Sequence, residues 1–198
     1  SDLNCKVMTK ILNLKLSSSA NSVKNYVADL EKFNNKRNLE KLLPDVKGEM
    51  FFQLGKTYLN NKDNQSKRKG MGFLEESIKF GNLNSLEFLC RAAGRGKGIP
   101  RDVGLALSYC IEASDAGSVN SLTYNMIGEL LENDTGRSTS FSSLVSVYSK
   151  SCSLKDGSGC CSLAKTYHRE GMFEARNKNI QLAEKYNFGH CKLIIGVD

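Results

Sequence analysis

Only two prolines interrupt the 198 residues, and apolar residues recur at helical spacing between clusters of Asn, Gly, Ser and Asp. The chain is therefore read as mostly α-helical. No segment alternates as a good strand does. No apolar run approaches the roughly 18 to 20 residues of a membrane span, which argues against a transmembrane helix, and collagen-like, mucin-like and low-complexity compositions are absent. The first residue is Ser, and residues 1–19 (SDLNCKVMTKILNLKLSSS) lack the apolar core of a secretory signal, so any targeting segment is expected to be gone already. What remains is ordinary for one globular domain: 40% hydrophobic and 25% charged residues, enough to bury a core.

Self-similarity organises the rest. FQLGKTY (52–58), EFLCRAA (87–93), NMIGELL (125–131) and SLAKTYH (162–168) share an apolar residue, a small one, two variable ones and then Tyr or a substitute. Their anchors Leu54, Leu89, Ile127 and Leu163 are spaced by 35, 38 and 36. A second series places Phe73, Tyr109, Tyr148 and Tyr186 at spacings of 36, 39 and 38. Periods of this size mark a helical solenoid, with two helices per unit. The small residues Gly55, Cys90, Gly128 and Ala164 let the partner helix approach, and the aromatics fill the gap between units, so both series are packing positions.

The stretch GKGIPRDVGLALSYCIEASDAG (96–117) resembles the turn and second helix of a Sel1-like repeat: Gly-x-Gly-apolar-Pro-x-Asp, then Ala106, Tyr109, Ala113 and a closing Gly. Elsewhere the turn departs from that pattern, with NNKDNQSKRKG, ENDTGRSTS and REGMFEARNKN in its place. Signature residues of tetratricopeptide and pentatricopeptide repeats are not evident. The resemblance covers residues 47–190 and implies an all-α, right-handed α/α solenoid of about four repeats. Residues 1–46 carry apolar stripes (Val7, Ile11, Leu14; Val23, Tyr26, Val27, Leu30, Phe33) and are expected to form an N-terminal helical cap, with 191–198 a C-terminal tail. The resemblance implies a protein that binds other proteins and assembles complexes, as such proteins usually do without catalysis.

Stacked helical hairpins present a long concave face. Lys56, Arg91, Glu129 and Lys165, each two residues past its anchor, are expected on or near it as partner-binding residues; a merely solvated helix face is the competing reading. The net charge is +7, and nearly all of it is expected on one rim of inter-helix loops. Residues 62–69 carry Lys62, Lys67, Arg68 and Lys69 against Asp63, and residues 91–102 carry Arg91, Arg95, Lys97 and Arg101 against Asp102, +3 in each case. Residues 132–139 contribute −1 (Glu132, Asp134, Arg137) and residues 168–178 contribute +1. Such a field attracts an acidic protein surface, RNA or an anionic membrane surface, although no aromatic stacking motif accompanies it.

The resemblance also extends to cysteine-rich members of the family, in which a bridge occupies the position of Cys152 and Cys160; here the preceding repeat has no matching pair. A reducing compartment would leave every thiol free. Seven is an odd number, so at least one thiol is free or pairs with another chain. Cys90 is read as a buried packing thiol, and Cys5, Cys110, Cys161 and Cys191 have no evident partner. His168 and His190 lie near cysteines in sequence, yet no paired C-x2-C spacing supports a metal site. GRGKG (94–98) lacks the spacing of a phosphate loop, and its glycines read as positive-φ turn positions. No enzyme activity, cofactor or metal is expected. The function read here is a protein-interaction scaffold or assembly adaptor, binding a partner through the concave face and the basic rim; the alternative is an RNA-binding α-solenoid acting in organellar RNA processing or translation. A pI near 9 suits a mitochondrial interior, ahead of bacterial periplasm or cytosol.

Overall fold

The computed structural model describes residues 2–133 and 139–197. Among these, twelve helices and no strand are found: α1 Leu3–Leu16, α2 Ala20–Glu31, α3 Lys36–Leu39, α4 Pro44–Leu59, α5 Asn64–Lys79, α6 Leu83–Arg95, α7 Val103–Asp115, α8 Ser121–Asn133, α9 Phe141–Ser153, α10 Gly157–Arg169, α11 Phe173–Lys185 and α12 Cys191–Ile195.

Side-chain caps start many of these helices. The Asp63 carboxylate accepts from the Ser66 N–H at 2.7 Å, Asp102 from Leu105 at 2.9 Å, and Asp156 from Ser158 and Gly159, each satisfying backbone donors that the first turn leaves unpaired. The second helix of each hairpin ends alike. Gly81, Gly117, Lys155 and Asn187 take φ between 62° and 86°, and the N–H of the next residue donates to the carbonyl five positions before it: Asn82 to Ser77, Ser118 to Ala113, Asp156 to Ser151 and Phe188 to Ala183. This is the left-handed C-terminal closure that glycine adopts without penalty.

The chain divides into two compact units, Ser1–Phe88 with Gly96–Pro100 and Leu89–Arg95 with Arg101–Asp198. In the first, α1, α2 and α4 bury Val7, Ile11, Leu14, Val27, Leu30 and Met50, and Leu54 and Phe73 join α4 to α5. A Cβ on Gly55 would lie 2.6 Å from Leu74 Cγ and 2.9 Å from the Gly70 carbonyl, so backbone nearly touches backbone there. Ser77 donates to the Gly48 carbonyl at 2.6 Å, fastening the other end of α5 to α4. Asp29 on α2 is held at a pKa of about 2 by hydrogen bonds from Lys10 and then Lys32.

In the second unit, α9, α10, α11 and α12 enclose Leu144, Tyr148, Leu163, Ala164, Ile180 and Ala183. The Tyr148 ring lies against Gly128, where any Cβ would overlap it. Asn125 on α8 donates to Ser158 at 2.8 Å and to Asp156 at 3.2 Å, tying α8 to the start of α10.

Candidate functional site

On α4 the residues at positions 49, 52, 53, 56 and 57 recur at helical spacing, and together with Asn60, which caps the helix, they form one wall of a groove of about 710 Å3. Leu14 and Lys15 at the end of α1, Val23 on α2 and Asn84 on α6 complete it. A second groove of about 660 Å3, flanked by Lys24, Val27 and Tyr58, shares Val23, Thr57 and Asn61 with the first. The two form one trough within the first unit.

The trough's only carboxylate, Glu49, is fully engaged. Lys15 reaches it at 2.6 Å, Gln53 donates to it at 2.9 Å and Asn82 at 3.2 Å. Burial works against its charge, yet these donors hold its pKa below the usual carboxylate value. Lys56 is exposed and makes no ion pair among the described residues; its ammonium stands 6.0 Å over the Phe52 ring. Phe52 in turn meets Phe88 edge-on at 6.1 Å. The side-chain amides of Asn60, Asn61 and Asn84 are exposed and make no hydrogen bond within the described residues. The trough thus has an apolar floor, open amides and unpaired positive charge.

Of the other residues expected to bind a partner, Glu129 is exposed on α8, whereas Arg91 on α6 and Lys165 on α10 are half-buried. Lys165 lies 3.9 Å from Glu132, which Arg169 grips at 2.8 Å. Tyr148 is buried beside the same carboxylate, and burial together with that charge pushes its pKa far upward. Lys165 therefore serves an internal charge network. Lys56 belongs to the first unit and the other three to the second.

The loop rim needs correction. Because Asp63 caps α5, helix begins at Asn64, and Lys67, Arg68 and Lys69 stand in its first turns instead of in a connection. Lys69 is committed to Glu31 and to the Tyr58 hydroxyl. Arg95 closes α6, Lys97 is exposed in the following turn, and Arg101 donates to the Gly94 carbonyl at 3.1 Å. Gly96 and Gly98 take φ of 67° and 86°. The contribution expected from Asp134 and Arg137 lies outside the described residues.

The cysteines pair more fully than their spacing indicates. Cys152 and Cys160 are bridged across α9 and α10; Cys90 is bridged to Cys110, and Cys161 to Cys191, with Cα atoms 4.9 and 5.4 Å apart. Cys90 is thus a buried half-cystine, not a packing thiol, and three cysteines without an evident partner acquire one. Repeat spacing hides these bridges, since each joins helices whose contact only folding creates. Cys5 alone is free, and exposed. His168 contacts the Arg176 guanidinium at 3.3 Å, and His190 is exposed at the start of α12. Among the described residues no group of three or more His, Cys, Asp or Glu could hold a metal ion, and no helix is long and apolar enough to cross a membrane.

No family model and no curated protein sequence matches the chain. Solved structures do. MamA AMB-1 superposes with a TM-score of 0.59 at 18% identity, over 94% of this chain and 92% of that one. MamA MSR-1 gives 0.54 at 18% identity, over 94% and 98%. A Sel1 repeat protein from Oxalobacter formigenes gives 0.62 at 16% identity, over 99% of this chain and 57% of that longer one. At such identities the likeness concerns the fold.

Proposed function

We propose that this chain, whose fold is the all-α solenoid of Sel1-like repeats, is a non-catalytic protein-interaction scaffold or assembly adaptor. The observation that carries the reading is the trough on α4, where an apolar floor is ringed by amides and a lysine that the protein itself leaves unused. Apolar surface flanked by unsatisfied polar groups is what a protein partner can cover with gain in both terms. Exposed basic residues such as Arg68, Arg95 and Lys97 would speed encounter with an acidic partner without deciding the fit. Three disulfides support an oxidising compartment over a reducing interior.

The test is a photo-crosslinking amino acid placed at Asn61, inside the trough, and at the exposed Glu75 on α5 as a control, in a lysate of the protein's own source. The expected result is a discrete protein adduct from position 61 alone, unaffected by nuclease. Equal labelling from both positions would refute the trough as the binding face, and an adduct that nuclease removes would favour the RNA-binding alternative.

A further inference from the structure

From the chemistry of the trough we infer its occupant: an extended, acidic segment of a partner protein, lying along α4 with a carboxylate at Lys56 and another toward Lys24. The inference rests on the scaffold reading and specifies its partner.

Charge decides the sign of the ligand. Three lysines (Lys15, Lys24 and Lys56) face one carboxylate, Glu49, leaving the lining at +2. Lys15 is locked onto Glu49 at 2.6 Å, so that pair is spent. Lys24 and Lys56 are exposed and have no carboxylate within ion-pairing distance among the described residues. An acidic ligand gains two contacts here without breaking one.

The amides decide its conformation. Asn60, Asn61 and Asn84 each offer a donor and an acceptor with no partner in the fold. A docked helix has already satisfied its own backbone and would leave them idle, whereas an extended chain brings free N–H and C=O groups to match them. From Glu49 to Asn60 the helix axis advances about 16 Å, the reach of about five extended residues. Alternate side chains of such a strand would point to the Leu14, Val23 and Phe52 floor and to solvent. Nucleic acid would use the same positive charge, but its bases would want stacking faces, and Phe52 is half-buried and already packed edge-on against Phe88.

The experiment is fluorescence anisotropy with the intact oxidised protein and a labelled heptapeptide, Gly-Glu-Leu-Glu-Leu-Glu-Gly, its glutamine counterpart, and an octameric oligouridylate. The glutamate peptide should bind at least tenfold more tightly than the glutamine one. Lys56→Glu and Lys24→Glu should each weaken it several-fold, the double variant at least thirtyfold, and 0.5 M NaCl should reduce it further, with unchanged circular dichroism melting in every variant. Equal affinity for both peptides, no binding of the glutamate peptide, indifference to Lys56→Glu, or tighter binding of oligouridylate would each overturn the inference. If the crosslink from Asn61 still captures a protein while the peptides fail to discriminate, the scaffold reading stands and only the acidic-segment assignment falls.

Discussion

Lys155 and Asn187 hold positive φ where the equivalent hairpins carry Gly81 and Gly117. A side chain in the left-handed region costs about 1 kcal/mol relative to glycine, and Lys155 is exposed, with nothing in the structure requiring its ammonium. Lys155→Gly is therefore expected to stabilise the protein by about 0.5–1 kcal/mol, read as a rise in the urea midpoint with an unchanged slope. The same logic identifies Lys56 as a functional residue. A long cation beside an aromatic ring, with no acid in reach, contributes little to folding, so its substitution should alter binding and leave stability alone.

Among elements, close approach governs. Helices α8 and α9 meet where the Tyr148 ring covers Gly128, and α4 and α5 meet across Gly55 and Gly70. Gly128→Ala is expected to cost about 1–3 kcal/mol, because Tyr148 is 1% exposed, so the ring has nowhere to move. Chemical denaturation of this single variant tests the point; a loss below about 0.5 kcal/mol would mean that the helices separate easily. Both partners were legible as a small residue in one series and an aromatic in the other. The charge network that converges on Glu132 was not, since nothing in the repeat spacing says that Lys165 and Arg169 share one carboxylate.

For the molecule as a whole, cystine content separates two environments. Three bridges closing separations of 20, 8 and 30 residues should contribute about 2.5–3.5 kcal/mol each by restricting the unfolded chain. Protein purified from an oxidising compartment, denatured without reductant, is expected to titrate one thiol, Cys5, and to lose most of its stability on reduction. Seven titratable thiols in the isolated native protein would place it in a reducing compartment instead. Much of the fold was determined by sequence alone. Helical periodicity, the spacing of Leu54, Leu89, Ile127 and Leu163, and the positive-φ glycines of the 96–98 turn are local properties, and local properties survive being read along a line. The trough was not legible. Lys56 was marked by its place in the repeat, but Lys15, Lys24 and Val23 come from a region outside the repeats, and Asn60, Asn61 and Asn84 lie in a turn and at the start of α6. Only tertiary packing brings α1, α2 and α6 beside α4, and only that packing spends Lys15 on Glu49 while leaving Lys56 unpaired, because ion pairing depends on distance in space and sequence separation carries no record of it.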